Sequence, residues 1–100
     1  MIKIWDLNTG QCVKTLRGHE HYVISVIELN GGYLASGSAA SGSADGSIKI
    51  WDIKNGQCVK TLRGHAGTVT QLIQLNDRRL ASGSADKTIK IWGDTKSDTR

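Results

Sequence analysis

The chain has 100 residues, enough for one small domain, and its composition is typical of a folded protein, with 38% hydrophobic and 22% charged residues and no proline. The formal net charge is +4, but the basic residues recur singly, so we expect binding neither to nucleic acid nor to a membrane surface. No apolar run approaches membrane-spanning length, and residues 1–10 do not have the pattern of a secretory signal.

Nine short segments have the character of β-strands, and none predicts a long helix. In chain order they are Ile2–Trp5, Gln11–Arg17, Val23–Leu29, Leu34–Ser38, Ser47–Trp51, Gln57–Arg63, Thr68–Leu75, Arg79–Ser84 and Thr88–Trp92. The pair Asn55-Gly56 between two of them is a strong signal for a hairpin turn. The segment Val23–Leu29 is apolar on both faces, which predicts a strand buried on both sides.

The chain repeats itself. Residues 2–6 (IKIWD), 10–19 (GQCVKTLRGH) and 34–38 (LASGS) each return 46 residues later. A third partial copy, TIKIW, ends only 41 residues after Trp51, at Trp92. The difference lies in the segment ASGSA, which occurs in tandem at 35–39 and 40–44 but only once in the second period. The period is therefore 41 residues with one five-residue duplication, and either copy of ASGSA suits the strand.

The GH dipeptides at 18–19 and 64–65 and the WD dipeptides at 5–6 and 51–52 resemble those of WD-repeat β-propellers. The resemblance covers nearly the whole chain up to Trp92, where Gly93 interrupts a third WD. It implies an all-β fold of antiparallel four-stranded blades, about two of them. In the blade lettering, residues 1–93 read c-d-a-b-c-d-a-b-c, and residues 94–100 form a polar tail.

The resemblance also implies a hydrogen-bonded chain of His, Ser or Thr, Asp and Trp in each blade. In the second period these are His65, Ser82, Asp86 and Trp92. In the first they are His19, Asp45 and Trp51, with Ser36 or Ser41 as the hydroxyl, and we select Ser41. A buried carboxylate needs hydrogen-bond donors, which the imidazole and backbone N–H groups can supply. Because the set recurs with the period and no strand–helix elbow is present, we predict a structural network and no enzyme.

Two further patterns suggest chemistry that we do not predict. His19 and His21 are spaced as ligands on one strand, but Gly67 replaces His21 in the second period, so we predict no metal site. The glycine-rich stretches lack the lysine of a phosphate loop, so we predict no cofactor. Cys12 and Cys58 occupy equivalent places in two repeats, which disfavours a disulfide. We expect reduced thiols in an intracellular, cytoplasmic protein.

Two blades cannot close a propeller, which needs four to eight. Since blades are apolar on both faces, we expect the ring to be completed by oligomerisation, with three or four copies favoured. Gln11–Arg17 of one chain would supply the outer strand of the next chain's final blade, and one of the two terminal c strands would be displaced.

The expected function is a non-catalytic scaffold that binds itself and other proteins or peptides. The candidate binding residues lie at the end of the d–a and b–c loops: Glu20, His21, Tyr22 and Thr68. Tyr22 suits either an exposed aromatic anchor or packing at the start of its strand. The alternative is an engineered or recently amplified propeller fragment with no partner other than itself.

Overall fold

The computed structural model describes residues 2–19, 22–39, 46–75 and 79–93, which form nine β-strands. The strands are β1 (Ile2–Asp6), β2 (Gln11–Leu16), β3 (Val23–Leu29), β4 (Tyr33–Ser38), β5 (Ser47–Asp52), β6 (Gln57–Arg63), β7 (Val69–Gln74), β8 (Leu80–Ser84) and β9 (Ile89–Trp92). Over these ranges there is no helix long and apolar enough to cross a membrane. The predicted all-β class is confirmed, and each strand begins and ends within two residues of its prediction.

The strands form three sheets, and within each sheet consecutive strands pair antiparallel. We call β1–β2 the N-terminal hairpin, β3–β6 the complete blade and β7–β9 the C-terminal sheet. This is the predicted order of a c-d pair, one full a-b-c-d blade and an a-b-c triple. Over the described ranges, one whole blade therefore lies between two incomplete ones.

Glycines with positive φ close the c–d hairpins. Gly56, at φ 73°, donates its N–H to the Asp52 carbonyl over 2.8 Å, and Gly10, at φ 75°, donates to the Asp6 carbonyl over 2.7 Å. The Asp52 carboxylate also accepts the N–H of Lys54, which tightens the turn. A left-handed residue is required at this point, and glycine adopts that conformation without steric cost. The two turns differ at 7–9 and 53–55 but share the Asp and the Gly, and they form two equivalent hairpins.

The larger apolar core lies between the complete blade and the C-terminal sheet. Ile48 and Ile50 of β5 are buried against Val69, Leu72 and Leu80 of the other sheet. The sheets approach closely at Gly37, where a Cβ atom would lie 2.6 Å from Val69 Cγ1. Only glycine fits at that distance, so this strand of small residues lets the neighbouring sheet approach closely.

A smaller core lies on the opposite face of the complete blade, under the N-terminal hairpin. Ile2 and Leu16 of the hairpin are buried against Leu34 and Trp51. The hairpin supplies only strands c and d, so it covers the outer half of this face. Strand β3, at the inner edge, packs against β7 of the C-terminal sheet on its other face, but on this face no described strand covers it.

The expectation that β3 is buried on both sides is wrong for this chain. Ile24 and Val26 remain 48% and 43% exposed, whereas Ile27 packs against the larger core. The physical reason is that, among the described residues, the sheet on this side consists of strands c and d alone and leaves the inner half of the blade uncovered. The apolar sequence of β3 is that of a strand covered by a neighbouring blade, and one such cover is missing.

The structure also places the duplicated segment. Strand β4 contains Ala35, Ser36, Gly37 and Ser38, so the copy of ASGSA at 35–39 supplies the strand. Gly37 pairs with Ile48 as Gly83 pairs with Ile89, so the register between strands b and c is the same in both periods. The second copy, at 40–44, and the tail at 94–100 lie outside the described residues.

Candidate functional site

The second period brings together the four side chains grouped from the sequence. His65 Nδ1 lies 3.2 Å from an Asp86 carboxylate oxygen, and His65 Nε2 lies 2.7 Å from Ser82 Oγ. The Trp92 indole N–H donates to the same Ser82 oxygen over 2.8 Å. The Asp86 carboxylate can only accept, so Nδ1–H donates to it, and the Ser82 hydroxyl keeps its own proton to donate to Nε2. The network joins the d–a loop to strands β8 and β9.

Asp86 accepts backbone N–H bonds, as expected for a buried carboxylate, and a further bond from the Thr88 hydroxyl that the sequence did not lead us to expect. The Thr88 hydroxyl and the backbone N–H groups of Ala66 and Thr88 all donate to its carboxylate. These bonds, led by the one from the Thr88 hydroxyl, hold the pKa of Asp86 well below its ordinary range, although burial opposes them. A hydroxyl residue two places after the aspartate, Thr88 here and Ser47 in the first period, was the signal available in the sequence.

In the first period the described part of the network, from histidine through serine to tryptophan, is repeated with one correction. Ser36 takes the hydroxyl position: its Oγ lies 2.5 Å from His19 Nε2 and accepts the Trp51 indole N–H over 2.8 Å. Our selection of Ser41 is therefore wrong, because the first copy of ASGSA forms β4 and its Ser36 oxygen contacts both rings. Ser41 and Asp45 both lie outside the described residues.

His19 is less buried than its counterpart His65, and its environment disfavours the charged ring. Burial lowers the pKa of His19 to about 4, and the nearby positive charge of Lys49 acts in the same direction. With the pKa lowered in this way the imidazole is neutral near pH 7, and in the tautomer with its proton on Nδ1 the ring accepts the Ser36 hydroxyl at Nε2.

A serine, a histidine and an aspartate in hydrogen-bond contact are the parts of a hydrolase triad, so their accessibility decides their role. Ser82 is 1% exposed and His65 is 2% exposed. The Ser82 oxygen already receives the indole N–H, so it is not presented to a substrate. Buried networks of this kind fix the strands and loops around them.

Two of the four predicted binding residues, Tyr22 and Thr68, lie within the described part of the chain. Tyr22 is 83% exposed, which favours the anchor over the packed alternative, and its carbonyl accepts the Ala39 N–H. Thr68 is half-buried in the d–a loop, and its carbonyl accepts the Ala85 N–H. Glu20 and His21 lie outside the described residues. Tyr22 is thus the most accessible of the candidates that the structure places.

Metal ligands, cysteines and cavities are the other features that could carry chemistry. In the part of the chain that the structure describes, no three His, Cys, Asp or Glu side chains lie close enough together to hold a metal ion. Cys12 and Cys58 are both free thiols on the surface. A cavity of about 140 Å³ opens on the outer face of the C-terminal sheet, lined chiefly by Ile73, Ala81, Gly83 and Ile89.

The repeats can be assigned from comparison with known proteins. The family model described as WD domain, G-beta repeat, matches residues 10–52 and 56–93. The chain belongs to the WD40 repeat family. WD40 repeats generally mediate protein–protein interactions and are generally not enzymes. The hydrogen-bond network is consistent with a structural role in such a repeat.

Solved structures of designed proteins resemble this WD40 chain. The computationally designed Ika4 and Ika8 proteins are each 37% identical to it, with a TM-score of 0.73 over 90% of its length. The match covers 52% of the Ika4 chain and 26% of the Ika8 chain. The chain therefore spans about half the length of one and a quarter of the other. No curated protein sequence matches it.

Proposed function

We propose that the chain is a non-catalytic interaction scaffold that assembles with copies of itself into a closed β-propeller. The supporting observation is the bare outer face of the C-terminal sheet, where Ile89 and Ile91 are 77% and 53% exposed. The equivalent Ile48 and Ile50 of the complete blade are 1% and 0% exposed, because the next sheet covers them. The same residues in equivalent strands are thus buried where a covering sheet and a d strand are present and exposed where both are absent, which favours a missing partner.

The opposite end of the chain supplies a complementary surface. Val26 and Ile24 of β3 are partly exposed there, beside the N-terminal hairpin. Within the chain, the equivalent face of β7 packs against Ile48 and Ile50 of β5. Ile89 and Ile91 are the counterparts of these two residues on the C-terminal sheet. A contact between unlike ends repeats head to tail and closes a ring when the rotation allows. Three or four copies would give six or eight blades.

The mass in solution tests this proposal. The chain has a mass of 10.8 kDa, so light scattering on the eluted protein should give about 32 or 43 kDa for three or four copies. Circular dichroism on the same fractions reports whether the protein is folded. A folded species of one-chain mass at every concentration in a dilution series would refute assembly.

We propose that other proteins bind at the end that carries Tyr22. A peptide library selected on the assembled chain, followed by affinity measurements, tests this surface. Binding that is lost in Tyr22→Ala and kept in Leu7→Ala supports the scaffold, because Leu7 is 95% exposed on a c–d turn at the other end. Equal loss in both variants would contradict the assigned surface.

The second candidate is an engineered or recently amplified fragment that binds only itself. The unchanged ten-residue copy at 10–19 and 56–65 and the similarity to designed proteins favour it. The peptide selection separates the two candidates. A chain that assembles but enriches no peptide supports the fragment, whereas a specific binder supports the scaffold.

A further inference from the structure

The two incomplete sheets are the complementary parts of one blade. The N-terminal hairpin has strands c and d, and the C-terminal sheet has strands a, b and c, so together they duplicate only strand c. Strands β1, β5 and β9 share the residues Ile-Lys-Ile-Trp, and β2 repeats the first six residues of β6. Strand β2 therefore has the side chains to pair with β9 as β6 pairs with β5.

The two copies of strand c, β1 and β9, differ in how firmly they are bound to the rest of the chain. In β9, the indole of Trp92 donates to Ser82 of the adjacent β8, which ties the strand to its own sheet. In β1, the equivalent Trp5 is 54% exposed, and the strand pairs only with β2 among the described strands. Of the two copies of strand c, β1 is therefore the one that can be exchanged at lower cost.

The residue that would fill the cavity on the C-terminal sheet can be found by comparison with the equivalent place in the complete blade. A Cβ on Gly83 would meet no heavy atom of the described residues within 4 Å, whereas at the equivalent Gly37 the side chain of Val69 occupies that space. Val69 pairs with Ser84 at the start of its blade, and Val23 pairs with Ser38 in the same way. The side chain that corresponds to Val69 for this cavity is therefore Val23 of a second chain.

We propose that β9 of one chain replaces β1 of a second chain and pairs with its β2, while Val23 of the second chain packs on Gly83 of the first. The β5–β6 register then places Ile89 opposite Leu16 and Lys90 opposite Thr15 of the second chain. In that position Ile89 and Ile91 take over the places of Ile2 and Ile4, above Leu34 and Trp51. Strands β7 and β8 cover β3, and each junction becomes a complete blade. This inference rests on the self-assembly proposed above and specifies its contact.

A substitution at Gly83 tests the packing without disturbing the single chain. Because a Cβ there has free space, Gly83→Val should retain the far-UV circular dichroism of the parent chain. It should raise the dissociation constant of the assembly by at least about tenfold, since Val23 of the next chain loses its site. Gly37→Val is the matched control and should unfold the chain, because Val69 already fills the space. Unchanged assembly of folded Gly83→Val would overturn the proposed contact.

Cross-linking tests the exchanged strand. In a chain with Cys12→Ser and Cys58→Ser, the pair Thr15→Cys and Lys90→Cys should give a ladder of covalent oligomers on oxidation. The control pair Thr15→Cys and Lys3→Cys joins residues that face each other in the β1–β2 pairing. If an assembly of parental mass cross-links only within chains through the control pair, strand exchange is wrong and self-assembly stands. If the parent chain is monomeric, both proposals fail.

Discussion

Ser36 and Ser82 each receive the indole N–H of a tryptophan and contact a histidine, so one hydroxyl joins three strands or loops. The three tryptophans provide an internal comparison of what this bond contributes. Trp51 is 1% exposed and bonded to Ser36, whereas Trp5 has the same neighbours in sequence and is half-exposed. The two tryptophans differ in burial because β5 is paired on both sides, with β4 and β6, whereas β1 is paired only with β2 among the described strands.

We expect Trp51→Phe to lower the free energy of unfolding by about 2 to 3 kcal/mol, because it removes a buried donor and leaves a void. Trp5→Phe should cost less than about 0.5 kcal/mol, as is usual for exposed positions. Urea unfolding followed by circular dichroism measures both, independently of tryptophan emission. Equal costs would contradict the assignment of Trp51 to the network.

The pKa of His19 predicts how stability depends on pH. Its folded value of about 4 lies below the ordinary 6.5, so the unfolded chain takes up the proton first as the pH falls. Stability that is fully present above pH 6.5 is therefore lost between pH 6.5 and pH 4. We expect a loss of about 1 to 2 kcal/mol, less than the full shift implies, because the ring is partly in water. Urea titrations across this range should show the slope in the parent chain and a smaller one in His19→Gln. Identical slopes would exclude His19 as the cause.

At this scale the sequence specified the kind of network but not all of its members. His65, Ser82, Asp86 and Trp92 could be grouped because their spacing matches a known repeat. Ser36 could not be separated from Ser41, since the tandem ASGSA offers two identical local sequences and only strand pairing distinguishes them. Thr88 was missed because a hydroxyl in a turn has many uses.

Among the elements, the b–c turn of the C-terminal sheet carries the strained residue. Lys87 has φ 71°, a left-handed conformation that costs a residue with a side chain about 1 kcal/mol or more. The equivalent residue in the first period is Gly46. The turn therefore keeps its geometry with a lysine because the bonds around Asp86 hold it in place.

We expect Lys87→Gly to raise the free energy of unfolding by about 0.5 to 1 kcal/mol, because relief of the strain exceeds the added entropy of the unfolded chain. Lys54→Gly is the control, since Lys54 lies on an exposed turn and its φ is not positive. This change should leave stability equal or slightly lower. Thermal unfolding of the three proteins measures the difference, and a destabilised Lys87→Gly would disprove the interpretation.

The strands themselves were predictable because alternating side chains and Asn-Gly turns act locally. The partial exposure of β3 was not, because its sequence is that of a strand covered on both faces. An apolar pattern indicates that both faces of a strand can be covered. Whether a covering sheet is present depends on residues far away in the chain.

For the whole molecule, the repeat predicted the architecture and its incompleteness together. Counting strands along two periods was enough to find one full blade between two partial ones. The number of chains in a ring depends on the rotation between neighbouring blades, and sequence repetition carries no information about that angle. The identity of any bound protein depends in turn on loop surfaces that vary independently of the framework.

The common register of strands b and c in the two periods has a practical consequence. Gly37 and Ile48 pair as Gly83 and Ile89 do, although five more residues separate them along the chain. Lengthening this connection left the framework unchanged, as expected when the entropy of loop closure grows slowly with length. The segment between β4 and β5 is therefore a suitable host for grafted recognition peptides. In a ring of identical chains, each graft would be displayed in several copies and would gain avidity.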